Sequence, residues 1–516
     1  MHIEKIKSPA DLRALDQDQL EELCREIREF LVDAVSRTGG HLGSNLGAVE
    51  LTIAVHRVFE SPRDVILWDT GHQAYVHKLV TGRADMFSSL RQRHGLSGYP
   101  SNTESEHDIV ENSHASTSLS WASGLSAGFD LTGHKHRQVV AVIGDGSMTG
   151  GMAFEALNNL GHYGQRAVII LNDNGRSYAP TVSRLATVMS RVRQSPNYVK
   201  GRQAVVNILD RMPLGEEVKR GLSGAAAAMR EMWEPPAFFE TLGVRYLGPI
   251  DGHDIEALES ALSDASSYED GPIVVHVLTD KGRGYAPAED DEEKHLHDIG
   301  LFDPATGNSS SASGKNFTSE FSNSLLTIAE RRPDVVAITA AMPGSTGLLP
   351  FQQRYPDRFF DTGIAEQHAL TSAAGMARAG LRPFVAIYST FLARGFDQVM
   401  YDIGLHGLPV VICIDRAGVT GPDGASHHGV HDIAMYARVP GMTIFSPSSL
   451  QELPVMMNQA LETNGPVAIR WPRGTADESS VVGQGLSARL VRDGQDVAIL
   501  AAGKMLKAAT SAAELL

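Results

Sequence analysis

The run GDGSMTGGMAFEALNNLGHYGQRAVIILNDN, residues 144–174, constrains this chain more than any other stretch. Two apolar segments, QVVAVI at 138–143 and RAVIIL at 166–171, each lead directly into a small acidic loop, and GGMAFEALNNL between them has helical spacing. Strand, helix and strand in this order read as a βαβ unit. Its parallel strands end on the same sheet edge, which brings both loops to one crevice, the usual ligand position of an open α/β sheet.

The residues in the loops indicate what the ligand is. Asp145 stands between two glycines, which let backbone approach a diphosphate closely, and Asn174 supplies a neutral amide oxygen. Hard oxygen donors of this kind suit Mg²⁺. Gly150 and Gly151 open a helix whose N-terminus can receive phosphate oxygens. Either loop alone is explained as an ordinary turn, since Gly, Asp and Asn are turn formers. The two together, joined by that helix, point to a metal diphosphate, and the order GDG, helix, NDN resembles the thiamine diphosphate fingerprint.

A chain of 516 residues has room for two or three domains. Its 45 basic and 61 acidic residues give a formal charge of −16, which argues against a nucleic-acid or anionic-membrane partner. Only Cys24 and Cys413 are present, MHIEKIKSPADL has no apolar signal-peptide core, and no apolar run approaches a membrane span. A cytoplasmic location is expected.

The pattern predicts two large α/β units. Strand-like runs near DVILWD, QVVAVIGD, RAVIILND and PIVVHVLTD build a first, diphosphate- and Mg-binding domain over 1–305. The Ser/Gly-rich GNSSSASGK marks a linker at 306–314. DVVAITA, PFVAIYS, PVVICID and PVAIRW, alternating with helical segments, build a second α/β domain over 315–480. Residues 481–516 read as a partial C-terminal domain, with a strand at DVAILAAG and a helix at KAATSAAELL. Residues 177–239 have weak periodicity and read either as a mobile cover or as a packed helical excursion.

Along the chain, TGGHLGSNLGAVELT, WDTGHQAYVHKL, GLSGYPS, ESEH, SHASTS, GDG, NDN, GPIDGHD, KGRGYAPAE, GIAEQHA, AIYSTFLARGFDQ and IDRAGVTGPDGASHHG occur in that order. The set resembles the 1-deoxy-D-xylulose-5-phosphate synthase family over roughly residues 20–475. The combination of IYSTF, DRAG and DGASH is narrower than the cofactor motif alone. The resemblance implies two thiamine diphosphate-binding-type parallel-sheet domains, the one over 315–480 pyrimidine-binding, followed here by the start of a truncated transketolase-type C-terminal domain. It also implies a homodimer that condenses pyruvate with D-glyceraldehyde 3-phosphate, releasing CO2, on the way to isoprenoids and thiamine. Another transketolase-like enzyme, or a truncated non-catalytic paralogue acting as an interaction protein, are the alternatives.

Carried over residue by residue, the resemblance assigns Mg²⁺ to Asp145, Asn174 and the main-chain carbonyl of Arg176. His72, Ser113, His114, Ala115, Gly146 and Ser147 would line the diphosphate and its approach, and Tyr285 would border the cofactor. Glu366 is expected to bond the aminopyrimidine nitrogen N1′, which puts that ring in the form able to remove the thiazolium C2 proton. His41, His72, His297, His368 and His427 are expected to move protons at the substrate carbonyls. Arg416 and Arg473 offer planar donor forks for the acceptor's phosphate. Tyr388 and Arg394 would lie near the same substrate, and Asp423 near its hydroxyl groups. His253, His295 and His428 are left with no assigned role.

Overall fold

The computed structural model describes residues 3–176, 181, 234–309, 314–475, 483 and 485–516. Most of segment 177–239, including both readings of its fold, lies outside the described residues. The chain divides into two compact units, Met1–Ser311 and Ala312–Leu516.

In the first unit five parallel strands, β1 (Val65–Trp68), β2 (Val139–Gly144), β3 (Val168–Asp173), β4 (Arg245–Asp251) and β5 (Ile273–Leu278), are ordered β1-β2-β3-β5-β4. Neighbouring residues of a strand point to opposite faces, and both faces are covered. Ala141 and Ile143 of β2 pack with Leu119, Leu157 and Leu160 from the helices Ser118–Leu131 and Gly151–Tyr163. Val140 and Val142 meet Leu51, Val55, Leu258 and Leu262 from Val49–Val58 and Ile255–Ser266. Burying each such side chain contributes roughly 1.5–3 kcal/mol, so this two-faced apolar sheet rigidly fixes the loops at its strand ends.

The helix Gln17–Thr38 shows why the local sequence folds as it does. Asp16 caps it by accepting from the Gln19 N–H at 2.9 Å, and Leu20, Leu23, Ile27, Leu31 and Val35, spaced three or four apart, are all buried.

The second unit has six parallel strands: β6 (Val335–Thr339), β7 (Phe359–Asp361), β8 (Arg382–Tyr388), β9 (Val411–Asp415), β10 (Thr443–Phe445) and β11 (Val467–Arg470). Their order is β10-β11-β9-β8-β6-β7. Helices Phe317–Arg331 and Glu452–Glu462 cover one face, and Glu366–Arg378 covers the other.

Three strands escape the sequence pattern, all at sheet edges. β7 and β10 have three residues each, too few to show alternation, and β4 carries Gly248 and Pro249 at a register shift between Leu247 and Ile250. Proline is tolerated there because an edge strand leaves one row of N–H groups unpaired. The strand expected at DVAILAAG does not form. Val497, Ile499 and Leu500 are exposed and pair with no strand among the described residues, although a helix does form at Met505–Leu515. A single extended segment cannot satisfy its own backbone groups. Among the described residues no helix is long and apolar enough to cross a membrane.

Candidate functional site

In the first unit β2 and β3 pair in register from Val140↔Val168 to Gly144↔Asn172, so the GDG and NDN loops leave adjacent strands at the same edge. The Asp145 N–H donates to the Asn172 carbonyl at 3.2 Å, and its carboxylate, 4% exposed, accepts from the Thr181 hydroxyl at 2.6 Å. A Cβ built on Gly144 or Gly151 would meet no atom of the described residues within 4 Å. Gly146 and Gly150 have φ of −61° and −75°, which any residue adopts. Gly144 and Gly151 thus leave space beside the loop, which fits the close approach of a diphosphate.

The donor chemistry fits a magnesium diphosphate. One buried carboxylate and one amide oxygen are the sparse protein contribution that Mg²⁺ takes when phosphate oxygens complete its shell. Asn174 Oδ1 accepts from the Arg176 N–H at 3.1 Å, and the Arg176 guanidinium is tied to the carbonyl of Glu292 at 2.6 Å. Both contacts hold the loop that presents the Asn174 oxygen and the Arg176 carbonyl. The helix Gly151–Tyr163 has no side-chain cap at Gly150 among the described residues, and the Ala153 N–H donates to the Gly150 carbonyl at 3.1 Å, so the N–H groups of Gly151 and Met152 are the ones an anion could meet.

Three of the expected histidines come together in this unit. The ring centroids of His41 and His72 are 5.5 Å apart, those of His41 and His297 5.7 Å, and those of His72 and His297 5.0 Å. The Asn45 amide donates to the backbone carbonyls of both His41 and His72, at 2.7 and 2.8 Å, which clamps their two loops together. Tyr99 from GYPS lies 5.6 Å from His41.

Sequence does not single out Lys281 of the KGRG motif. Its ammonium nitrogen is 2.7 Å from His297 Nδ1 and it is buried. Burial lowers its pKa to about 7, against the pull of the Asp145 carboxylate, while burial and the adjacent Lys281 charge hold His297 well below its usual value. His297 is thus neutral near pH 7, with Nδ1 accepting from Lys281.

Asp69, in WDTGH, is equally silent in sequence. Its carboxylate accepts from the N–H groups of Ser116 and Ser118 at 2.8 and 3.0 Å, and the Ser116 hydroxyl donates to the Ser147 carbonyl at 2.6 Å. These bonds seat the segment carrying Ser113, His114 and Ala115 beside Gly146 and Ser147. A lone Asp after an apolar run gives no sign of this.

Tyr285 is half-buried, and its hydroxyl donates to the Pro304 carbonyl at 2.8 Å. His253 is structural: it lies 3.0 Å from Glu50, which Arg28 grips with two bonds of 2.7 Å.

In the second unit Glu366 is the first residue of Glu366–Arg378 and is 3% exposed. Burial raises its pKa, opposed by Arg394, whose Nη1 is 3.5 Å from Oε2. Oε2 nevertheless makes no hydrogen bond among the described residues. A buried carboxyl oxygen met only by an ion pair of that length has room for a further hydrogen-bond partner, and its chemistry fits a ring nitrogen.

Near Glu366 in sequence, β8 ends at Tyr388. Arg416, at φ +57° just after β9, lies with its guanidinium 4.2 Å from the Tyr388 ring centroid, 2.9 Å from Asp415 and 2.7 Å from the Ser345 carbonyl. Tyr388 stacks on Phe391 at 5.6 Å, and Phe391 meets His427 at 5.3 Å. Arg473 pairs with Asp423 at 2.7 Å. The structure thus links Arg416, Tyr388, Phe391 and His427 in one run of contacts and pairs Glu366 with Arg394 and Arg473 with Asp423. His368, two residues into the helix that Glu366 opens, joins none of these contacts.

A family model described as 1-deoxy-D-xylulose-5-phosphate synthase matches residues 3–279, and one described as the transketolase pyrimidine binding domain matches 314–477. The chain is 53% identical over 478 residues to a 1-deoxy-D-xylulose-5-phosphate synthase of Mycolicibacterium paratuberculosis, covering 92% of this chain and 74% of that protein. The enzyme of that name from Mycolicibacterium gilvum is 51% identical over 500 residues, covering 96% and 77%. Among solved structures, a transketolase from Campylobacter jejuni is 17% identical, covering 88% of this chain and 78% of its own, with a TM-score of 0.40.

Proposed function

The chain belongs to the 1-deoxy-D-xylulose-5-phosphate synthase family, and from that membership we infer that it condenses pyruvate with D-glyceraldehyde 3-phosphate to 1-deoxy-D-xylulose 5-phosphate and CO2. The observation that carries this is 53% identity over 478 residues, a span too long to leave out either unit.

Bound thiamine diphosphate supplies the carbanion chemistry by which pyruvate loses CO2 and joins an aldehyde. The first unit would hold its diphosphate through Mg²⁺ on Asp145, Asn174 and the Arg176 carbonyl, with Lys281 adding a cation beside Asp145. In the second unit Glu366 would hold a proton toward the ring nitrogen N1′. Its burial supports this role, because a carboxyl that resists ionisation keeps a proton to share. His41, His72, His297 and His427 would accept and return protons at the substrate oxygens. His297, kept neutral with its Nδ1 turned to Lys281, carries its proton on Nε2 and suits a donor to a substrate oxygen. Arg416 and Arg473 would orient the acceptor's phosphate, with Tyr388, Arg394 and Asp423 along the rest of the substrate. The proposal extends to a cytoplasmic homodimer with no nucleic-acid partner; the acidic balance of 61 to 45 supports the last point.

The test is product formation by the purified chain from carboxyl-labelled pyruvate and D-glyceraldehyde 3-phosphate, with and without thiamine diphosphate and Mg²⁺. One CO2 should appear per pentulose phosphate, and only when both cofactors are present. Turnover with a ketose-phosphate donor and none with pyruvate would make the chain a transketolase instead.

A further inference from the structure

Three polar side chains form a line through the interior of the first sheet, on three neighbouring strands. Tyr246 of β4, His276 of β5 and Asp173 of β3 are 6%, 0% and 1% exposed. The Tyr246 hydroxyl is 2.7 Å from His276 Nδ1, and His276 Nε2 is 3.0 Å from Asp173 Oδ2. An ionised carboxylate can only accept, so Nε2 carries the proton; neutral imidazole then accepts at Nδ1, and the tyrosine donates to it. The direction of the chain is therefore set from Tyr246 to Asp173.

Asp173 is the central residue of the NDN loop, and its other carboxylate oxygen accepts from the Gly175 N–H at 3.1 Å. Gly175 has φ +73°, the left-handed turn between Asn174 and Arg176. One carboxylate thus has one oxygen held by the sheet interior and the other holding the loop. The backbone accommodates this closely: a Cβ on Gly248, two residues after Tyr246, would fall 2.5 Å from the His276 carbonyl oxygen. A buried polar line of this kind is costly unless its members are paired, and here it ends at the loop that carries Asn174 and the Arg176 carbonyl.

We infer that His276, oriented by Tyr246, is a positioning residue for the metal loop. By fixing the rotation of the Asp173 carboxylate it fixes the Gly175 turn and with it the oxygens of Asn174 and Arg176. This rests on the reading of those oxygens, with Asp145, as the magnesium ligands. Outer partners of this sort typically change metal affinity by about 10–100-fold.

The experiment measures Mn²⁺ binding to the full chain by electron paramagnetic resonance at saturating thiamine diphosphate, with the unliganded Tm of each variant recorded. Asp145→Ala should lose on the order of 100-fold or more in affinity, which tests the ligand reading itself. His276→Leu should lose about tenfold. His276→Gln, whose amide N–H can stand where Nε2–H does, should recover most of that loss even where its Tm stays as low as that of His276→Leu. Tyr246→Phe should lose less than His276→Leu. If His276→Leu does not fold, His276→Asn, polar but too short to reach Asp173, replaces it with the same expectation. Wild-type affinity in folded His276→Leu, beside a weak Asp145→Ala, overturns the relay and leaves the ligand reading standing. Equal losses in His276→Gln and His276→Leu reduce His276 to packing and overturn it as well. Wild-type affinity in Asp145→Ala overturns both.

Discussion

Lys281 offers the sharpest quantitative prediction, because its proton is lost near the pH at which the protein would work. Burial lowers its pKa from 10.5 to about 7. At pH 8 only about one tenth of the unliganded chains keep the ammonium, whereas at pH 6 about nine tenths do. A diphosphate bound beside Asp145 returns the group toward its ordinary value, so binding at pH 8 should take up about 0.9 proton at this residue and at pH 6 about 0.1. Isothermal calorimetry of cofactor binding in buffers of different ionisation enthalpy reads this number directly. Lys281→Met should remove it, and the difference between the two proteins isolates Lys281 from the neighbouring histidines.

The same depressed pKa fixes a sign for stability. Between pH of about 7 and 10.5 the unfolded chain binds the proton and the folded chain does not, so stability of the unliganded protein rises with pH across that window. The cost of burying the ammonium is complete below it. Its ceiling is about 5 kcal/mol, from about 1.36 kcal/mol for each tenfold change in proton affinity, and relaxation around the buried charge makes the real value smaller. Lys281→Met should therefore be more stable than wild type near pH 6 and lose that advantage toward pH 10, as followed by thermal melts. Proton uptake independent of pH, or unchanged in Lys281→Met, would refute the argument.

Asp145→Ala removes the one charged ligand in the GDG loop and should weaken thiamine diphosphate binding in Mg²⁺ by about 2–3 kcal/mol, as measured by tryptophan quenching. Glu366→Gln keeps the side-chain size but not the proton, and should slow C2–H exchange of bound cofactor by about 10²–10⁴-fold in acid-quenched NMR while binding changes little. Arg473→Ala should cost about 2–4 kcal/mol in kcat/KM for glyceraldehyde 3-phosphate but leave non-phosphorylated D-glyceraldehyde at its wild-type rate. An equal loss for both aldehydes would mean that the guanidinium supports the fold or the donor.

The interior strands of both sheets are legible in the sequence because central parallel strands are buried on both faces and read as unbroken apolar runs. Val139–Gly144, Val168–Asp173 and Val411–Asp415 are cases in point. Edge strands are not, since β4 hides its pattern behind Gly248 and Pro249 and β7 and β10 are too short for one. At the site, chemically distinctive loops stand out, and supporting residues do not. Asp69, Lys281, His276 and Tyr246 are distant in sequence from the groups they touch, and only the fold makes them neighbours. Lys281 in KGRG looks like any surface lysine until the helix start at Gly43 closes over it: its Cγ lies 3.4 Å from a Cβ built there. Sequence offers no measure of such burial, and burial is what moves the pKa.

In the role proposed for them, Arg416 and Arg473 would bear on specificity through their partners. Arg473 pairs with Asp423, and Arg416 pairs with Asp415 while also donating to the Ser345 carbonyl. A ligand anion must share each guanidinium with a carboxylate already there, so what it gains is the difference between its own attraction and the repulsion of that carboxylate. For a monoanion such as pyruvate's carboxylate the two nearly cancel. A phosphate dianion doubles the attraction to a guanidinium and presents three oxygens to its donor fork. The repulsion doubles too, but the Arg473 side chain is 44% exposed, so solvent weakens its coupling to Asp423. Asp415, fully buried and held by the Thr318 hydroxyl at 2.8 Å, cannot swing toward the ligand. In that proposed role, the pairs would favour a dianion over a monoanion, which is the distinction an enzyme with one phosphorylated and one unphosphorylated substrate must make.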